Sequence, residues 1–335
     1  MTTAEHVKAL VRTHAEGDDE RFYAIALQAA AQEARKGHTK FAQDLRDLVD
    51  EARAHGKASP TGQRTRPVSI VQPRGELTGL LIVAYPKTRL ADMTLDETVR
   101  KKIERVLVEQ RQSAALREHG LMPLRKLLLV GPPGTGKTMT VAALAGELGL
   151  PLFTIQLDGL ITKFLGETAA KLRLIFDAIR ETRAVYLFDE FDALGSERAT
   201  RNEVGEIRRV LNSFLQFLET DDSDSLVVAA TNHPQILDRA LFRRFDSIVE
   251  YRIPSRTVAE QVMRGRLALF NTEHVDWSKV AQSSTNLSHA DLTRACEHAA
   301  KNAILDGRKH LETEEVLDAL EDRHKTQSAS QDGDA

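Results

Sequence analysis

Residues 127–138 read Leu-Leu-Leu-Val-Gly-Pro-Pro-Gly-Thr-Gly-Lys-Thr, and this stretch decides the fold. Four apolar residues of strand character lead into eight that fit the pattern Gly-x-x-x-x-Gly-Lys-Thr, and a helical pattern follows. The glycines let the backbone curl so that its N–H groups face a phosphate. Lys137 supplies a positive charge to the β- and γ-phosphates, and the Thr138 hydroxyl can bind Mg²⁺. The stretch therefore predicts a loop that binds ATP and Mg²⁺.

The expected nucleotide contacts are the loop itself and the first residues of the helix after it. They are Pro133, Gly134, Thr135, Gly136, Lys137, Thr138 and Met139. The alternative, a glycine-rich turn that fits the pattern by chance, is disfavoured because both a strand and a helix flank the loop.

Polar residues follow two other strand-like runs. Asp189 and Glu190 come directly after Val185–Phe188, and Asn232 comes shortly after Val227–Ala230. A buried strand would deliver Asp189 to the carboxyl edge of the sheet, where it can hold Mg²⁺ together with a hydroxyl of the loop. Glu190 is then expected to polarise the attacking water, and Asn232 to orient it. Without other signals, the two acids would be interpreted as solvated residues at a strand end and Asn232 as a turn residue. The phosphate-binding loop upstream favours the catalytic interpretation instead.

Strand-like runs alternate with helical stretches through the middle of the chain. The runs are Leu127–Val130, Leu152–Gln156, Val185–Phe188 and Val227–Ala230. Such alternation predicts an α/β fold in which a parallel sheet lies between two layers of helices. A strand is also expected at Leu80–Tyr85, paired with Val68–Val71, and a long helix at Leu95–His119.

Composition divides the rest of the chain. Residues 1–56 have the apolar spacing of three short amphipathic helices, which predicts a small bundle serving as an adaptor or substrate module. Residues 57–67 are polar and contain glycine and proline, as linkers do. Residues 68–253 are assigned to the large α/β part, residues 254–325 to a helical lid and residues 326–335 to a disordered tail.

Charge and hydropathy argue against several classes of protein. The net charge of -3 gives no overall reason to expect nucleic acid or an anionic membrane as a partner. The N-terminus lacks the apolar stretch of a signal peptide, and no apolar run is long enough to span a bilayer, so we expect a cytoplasmic protein. Cys296, the single cysteine, is expected to be a buried residue in a helix.

Together these motifs resemble those of AAA+ ATPases, and among them the AAA clade of hexameric protein remodellers. The similarity covers residues 90–308. Gly131–Thr138 resembles the Walker A motif, Phe188–Leu194 the Walker B motif, Ala230–Asn232 sensor 1 and Ala240–Asp246 the second region of homology. The resemblance implies ATP hydrolysis in a single ring of identical subunits.

The resemblance also implies that Arg243 and Arg244 are arginine fingers, which reach the ATP bound by a neighbouring subunit. A planar, permanently charged guanidinium suits this role because it stabilises charge on phosphoryl oxygens. Many relatives separate the two arginines by a short insertion, whereas they are adjacent here. Which of the two arginines contributes more to hydrolysis stays open, with Arg244 slightly favoured. In the alternative interpretation, the two arginines only form salt bridges at the surface.

A third stretch, Lys163-Phe164-Leu165-Gly166, resembles the pore loop of AAA unfoldases. An aromatic and an aliphatic side chain can grip an extended polypeptide without reading its sequence, and glycine lets the loop swing. Lys163, Phe164 and Leu165 are therefore the predicted substrate contacts. In the alternative, Phe164 and Leu165 begin the next helix and pack in the core.

Two departures from the family pattern concern the adenosine end of the nucleotide. His289 replaces the glycine that usually precedes Ala-Asp. It either brings an imidazole near the adenosine or simply follows Ser288, the N-cap of a helix, and both can be true. The backbone at Ala91–Met93 is the expected adenine contact, although the family's glycine pair is absent there.

Three functions compete. The favoured one is a ring-forming ATPase that threads protein substrates through its pore, with further copies of the chain and a protein substrate as partners. The second is a nucleotide-gated regulator or scaffold of a partner enzyme, such as a protease, without threading. The third, a DNA-handling ATPase, would need a basic DNA-binding face, and the acidic balance of the chain gives it little support.

Overall fold

The computed structural model describes Ala26 and residues 72–73, 75–160, 165–194, 201–237 and 239–332. The chain divides into two compact units, Met1–Val68 and Ser69–Ala335, and the second is described below. Apart from Ala26, which is helical and buried, the predicted N-terminal helices lie outside the described residues, as do the linker and the strand at residues 68–71. So do Lys163 and Phe164.

Among the described residues, six strands form one sheet. They are β1 (Leu81–Ala84), β2 (Lys126–Val130), β3 (Leu152–Ile155), β4 (Val185–Phe188), β5 (Leu226–Thr231) and β6 (Ser247–Glu250). Their order across the sheet is β1-β3-β4-β5-β2-β6. The pairs from β3 to β6 are parallel, whereas β1 is antiparallel to β3. The α/β sheet is thus confirmed. The four predicted runs are parallel, β1 adds an antiparallel edge, and β6 is an additional strand.

Helices cover both faces of this sheet. They are α1 (Glu97–Arg111), α2 (Ser113–Glu118), α3 (Lys137–Leu148), α4 (Leu157–Leu160), α5 (Leu165–Glu181), α6 (Arg201–Thr220) and α7 (Arg239–Phe242). Successive side chains of a strand point to opposite faces. Leu127 and Leu129 of β2 accordingly pack with Leu144 of α3 in one core, and Leu128 packs with Phe176 of α5 in the other. Two hydrophobic cores on either side of β2 give the predicted three layers.

The single long helix expected at residues 95–119 is two helices. Asp96 caps α1, because its carboxylate accepts a hydrogen bond from the Thr98 N–H at 2.9 Å. The chain leaves helical geometry at Gln112, with φ -100° and ψ 19°, before α2 begins. Near the end of α1, the Gln110 side chain donates to the Leu124 carbonyl at 2.9 Å and ties the helix to the approach to β2.

A second group of helices follows the last strand. They are α8 (Arg256–Arg266), α9 (Trp277–Ser283), α10 (His289–Leu305) and α11 (Thr313–Asp332). They share a core that contains Cys296, which is 0% exposed. The predicted buried cysteine is confirmed, and burial raises the pKa of its thiol to about 12.

The end of α11 differs from the expected disordered tail. The helix runs to Asp332, and Gln327 donates to Asp291 at 3.3 Å and to the Asn286 carbonyl at 3.5 Å. These contacts hold α11 at Gln327 against the segment that begins α10. In the described part of the chain, no helix combines the length and the apolar character that a membrane crossing needs.

Candidate active site

The predicted phosphate loop follows β2 at the carboxyl edge of the sheet. Gly134 and Gly136 have φ angles of 72° and 97°, in the left-handed region that favours glycine. A Cβ added at Gly131 would lie 2.2 Å from the Tyr251 carbonyl oxygen, so this position also requires glycine. Because α3 begins at Lys137, its first N–H groups point to the space above the loop, where an anion is stabilised. The backbone has the form of a phosphate cradle.

Lys137 folds back on the loop. Its Nζ donates to the carbonyl oxygens of Gly131 at 2.7 Å and Pro132 at 2.8 Å, and to Asn232 Oδ1 at 2.7 Å. Burial lowers the pKa of Lys137, and the negative charges of Asp189 and Asp192 oppose that effect. Phosphate oxygens would compete with these three acceptors for the same ammonium, so the site fits the triphosphate of ATP.

The two predicted Mg²⁺ ligands are in contact. The Thr138 hydroxyl donates to Asp189 Oδ2 at 2.9 Å, and Asp189 Oδ1 accepts from the Glu190 N–H at 3.0 Å. A hydroxyl beside a carboxylate offers the oxygen ligands that Mg²⁺ prefers. The structure therefore brings Thr138 and Asp189 together as the sequence predicts, and their metal binding stays a prediction.

Glu190 occupies an unusual backbone conformation. Its φ is 50°, and among the described residues other than glycine only Asn286 shares a positive value. Such a conformation costs on the order of 1–3 kcal/mol for a residue with a side chain, and persists where the surrounding structure imposes it. The Glu190 side chain is exposed at the carboxyl edge of the sheet, next to Asp189. Its role in polarising the attacking water stays a prediction.

One residue of the site, Asp192, received no role from the sequence. It lies in a 3₁₀ turn at Phe191–Leu194, just after β4. Asp192 Oδ1 accepts hydrogen bonds from the Thr231 hydroxyl at 2.8 Å and from the Asn232 N–H at 3.3 Å. The side chain therefore connects the ends of β4 and β5. Its partner is 39 positions away along the chain, and no sequence pattern signals a contact at that separation.

The start of α10 contacts the phosphate loop from the other side. The Ala290 N–H donates to the Gly134 carbonyl at 3.0 Å, and a Cβ added at Gly134 would lie 2.5 Å from Ser288 Oγ. Ser288 caps α10, since its hydroxyl accepts from the Asp291 N–H at 3.2 Å, which confirms the predicted N-cap. Neither ring nitrogen of His289 forms a hydrogen bond of normal geometry among the described residues, although the ring has a polar contact with the Thr94 backbone.

The segment expected to contact adenine lies beside the same loop. A 3₁₀ turn at Leu90–Asp92 leads into Met93, which is buried, and the Met93 Cε would be 3.6 Å from a Cβ added at Gly136. Arg100 fixes this segment by donating to the Met93 carbonyl at 2.8 Å. Met139, the last predicted nucleotide contact, is 45% exposed on the first turn of α3. Adenine recognition by these residues stays a prediction.

The predicted arginine fingers lie away from this site. Arg244 forms an ion pair with Glu219 near the end of α6, and the Arg243 side chain is exposed. Among the described residues, neither arginine forms a hydrogen bond or an ion pair with the chain's own phosphate loop. Of the predicted pore residues, Leu165 is the first residue of α5, and the other two lie outside the described residues.

Comparison with known proteins decides the family. Residues 127–253 match the model of the ATPase family associated with various cellular activities (AAA). Over 327 residues the chain is 32% identical to an uncharacterized AAA family ATPase, y4kL, of Sinorhizobium fredii, and the alignment covers 96% of each protein. The chain is an AAA ATPase. It accordingly binds and hydrolyses ATP, as the predicted Walker motifs imply.

This AAA ATPase is also similar to parts of longer proteins. It is 33% identical over 255 residues to the ATP-dependent zinc metalloprotease FtsH of Lancefieldella parvula, which covers 74% of the chain and 38% of FtsH. It is 35% identical over 209 residues to the proteasome-activating nucleotidase of Methanococcus vannielii, which covers 60% of the chain and 51% of that protein. The chain thus spans about half or less of these two relatives. No histidine in its sequence is followed by glutamate, so the His-Glu-x-x-His zinc-protease motif is absent.

Proposed function

We propose that this AAA ATPase assembles into a hexameric ring that remodels or unfolds protein substrates by threading them through its pore. In each subunit, Lys137 binds the β- and γ-phosphates, exchanging its present carbonyl and amide acceptors for phosphate oxygens. Thr138 and Asp189 hold Mg²⁺, which neutralises phosphate charge when bound. Glu190 polarises the attacking water, and Asn232 orients it.

The position of Arg243 and Arg244 is the observation that supports assembly into a ring. Phosphoryl transfer gains most from a guanidinium that reaches the transferring group. Arg244 instead pairs with Glu219 within its own chain, and Arg243 is exposed. Arg243 is therefore accessible to a neighbouring copy, and Arg244 would exchange Glu219 for the phosphate oxygens bound by that copy. A site completed by the next subunit is the simplest reason for an AAA ATPase to work as a closed ring.

Similarity to the two longer relatives supports a protein substrate. One is named as an ATP-dependent zinc metalloprotease and the other as a proteasome-activating nucleotidase. Lys163, Phe164 and Leu165 immediately precede or begin α5, and a ring could direct this loop towards a central channel. An aromatic side chain there would grip an unfolded segment through apolar contact, whatever its sequence.

The test begins by identifying a substrate. The Glu190→Gln variant should retain ATP binding while hydrolysis slows, so that a bound partner is captured and can be identified by cross-linking and mass spectrometry. The partner is then used in a remodelling assay with Phe164→Ala and Phe164→Tyr. We expect Phe164→Ala to slow remodelling about tenfold or more, because an anchoring aromatic is lost. Phe164→Tyr keeps the ring and should remodel at close to the wild-type rate.

ATP turnover is the control for both variants, and we expect it to stay within about twofold of wild type. Full remodelling by Phe164→Ala would contradict threading. If the captured partner is an enzyme whose activity follows the nucleotide state while Phe164→Ala has no effect, the chain is a nucleotide-gated regulator instead.

A further inference from the structure

We propose that Asp192 is a positioning residue for ATP hydrolysis, which holds Asn232, and through it Lys137, in the geometry that the reaction needs. The proposal rests on the role assigned above to Asn232, and it is independent of threading.

The geometry points to Asp192 because one of its oxygens holds two consecutive residues at the end of β5. Asp192 Oδ1 accepts from the Thr231 hydroxyl at 2.8 Å and from the Asn232 N–H at 3.3 Å. Thr231 is 0% exposed, so no water can replace this acceptor without a rearrangement. Asp192 itself is half-buried, in the turn that follows β4.

Thr231 is a junction between this carboxylate and the phosphate loop. Its carbonyl oxygen accepts from the Gly131 N–H at 3.3 Å, and its hydroxyl oxygen also accepts from the His233 N–H at 3.0 Å. A shift of Thr231 would therefore move the first residue of the loop as well as the residues after β5. Asp192 is the described side chain that fixes the Thr231 hydroxyl.

Asn232 connects Asp192 to Lys137 of the phosphate loop. β5 ends at Thr231, so the backbone of Asn232 is outside the strand ladder, and Asp192 supplies the acceptor for its N–H. The Asn232 side chain in turn accepts from Lys137 Nζ at 2.7 Å. The negative charge of Asp192 also raises the pKa of Lys137, which opposes the lowering that burial causes. Displacement of a positioned group by about 1 Å can slow a reaction on the order of 10²-fold.

The competing interpretation is a purely structural contact that ties the ends of two strands. Such a contact would lower thermal stability and nucleotide affinity along with turnover. A positioning residue would lower kcat selectively, and an acceptor of the same shape would restore it. Comparing kcat with ADP affinity therefore separates the two.

The experiment compares Asp192→Ala, Asp192→Asn and Thr231→Val, with Asp222→Ala as a control because Asp222 is exposed and lies outside the site. We expect Asp192→Ala to lower kcat about 10- to 100-fold. Its dissociation constant for ADP should stay within about threefold of wild type. Asp192→Asn, which keeps an oxygen acceptor, should retain most of the turnover. In the nucleotide-free chain, Asp192→Ala should also accelerate hydrogen exchange at the Asn232 amide, which loses its acceptor.

The double variant Asp192→Ala/Thr231→Val should lose less turnover than the two single losses multiplied together, because both changes remove the hydrogen bond between Asp192 and Thr231. Wild-type kcat in Asp192→Ala would overturn the proposal, as would equal losses in turnover, ADP affinity and melting temperature. Asn232→Ala separates this proposal from the one it rests on. If Asn232→Ala loses turnover and Asp192→Ala does not, positioning by Asp192 is wrong and the role of Asn232 stands.

Discussion

At the scale of single residues, His289 is exceptional. Among the described side chains, it alone has buried nitrogen atoms that form no hydrogen bond of normal geometry. It lies between Ser288, which caps α10, and Ala290, whose N–H donates to the phosphate loop. A buried polar group without a partner costs on the order of 1–3 kcal/mol. Stability is therefore lost at the point where the start of α10 meets the phosphate loop.

Replacing His289 by phenylalanine tests this cost. Phenylalanine keeps a planar aromatic ring, somewhat larger than imidazole, and removes both nitrogens, so we expect the free energy of unfolding at pH 7 to rise by about 1–3 kcal/mol. Chemical denaturation of the nucleotide-free chain measures it. His298, exposed on the same helix, is the matched control, and His298→Phe should leave the free energy of unfolding nearly unchanged. A loss of stability in His289→Phe would mean that the imidazole is satisfied after all.

Stability should also depend on pH through the same residue. Burial lowers the pKa of His289 below its ordinary value of 6.5, and a hydrogen-bonding contact with the Thr94 backbone partly opposes this effect. The unfolded chain therefore binds the proton first, and the free energy of unfolding falls as the pH drops through 6.5. Denaturation curves between pH 8 and 5 should show a steeper loss for wild type than for His289→Phe. Parallel curves would contradict the assignment.

At the scale of secondary-structure elements, α3 packs against an extended segment at one glycine. A Cβ added at Gly146 would lie 2.2 Å from the Thr88 carbonyl oxygen, and Arg89 donates to the Gly146 carbonyl at 2.8 Å. Gly265 of α8 is the opposite case, because nothing lies within 4 Å of its added Cβ. Two helical glycines thus serve different purposes, one structural and one dispensable.

Replacing each glycine by alanine should change the free energy of unfolding in opposite directions. Gly146→Ala should lower the free energy of unfolding by about 1–3 kcal/mol, because the new methyl group meets backbone that cannot give way easily. Gly265→Ala should raise it by about 0.5–1 kcal/mol, since alanine loses less entropy than glycine in an open helical position. Thermal or urea unfolding of the two variants measures both. Equal shifts would mean that the segment at Thr88 moves aside.

The sequence predicted those strands and loops whose conformation depends on neighbouring residues along the chain. The apolar run Leu127–Val130 predicts a buried strand. The glycines of the loop after it predict a curled backbone, because they adopt positive φ angles. Ser247–Glu250 gives no such signal, because it is short, polar at both ends and has a single buried residue. The antiparallel direction of β1 depends on how the chain returns to β3, which no periodicity encodes. The contact of Asp192 with Thr231 is tertiary for the same reason.

At the scale of the whole molecule, the proposed ring makes a prediction that no single subunit can satisfy. If Arg244 completes the site of a neighbour, Arg244→Ala should lower kcat by about 10³-fold or more with little effect on ADP affinity. Glu190→Gln should be equally slow for a different reason, since it lacks the group that polarises water. In a mixture of the two variants, a subunit with intact Glu190 can sit beside one with intact Arg244. Random mixing would restore up to about a quarter of the sites.

The ATPase rate of such mixtures, measured after the subunits have exchanged, tests assembly and arginine donation together. Mass photometry in the presence of ATP reports whether hexamers form. Recovery of activity requires that Arg244 acts across an interface, because neither variant contains a complete site by itself. Arg243→Ala, mixed in the same way, decides between the adjacent arginines: the exposed Arg243 would be the finger if its variant alone shows the loss and the recovery. Full turnover by monomers of Arg244→Ala and Arg243→Ala would contradict the ring, and the phosphate loop would then hydrolyse ATP unaided.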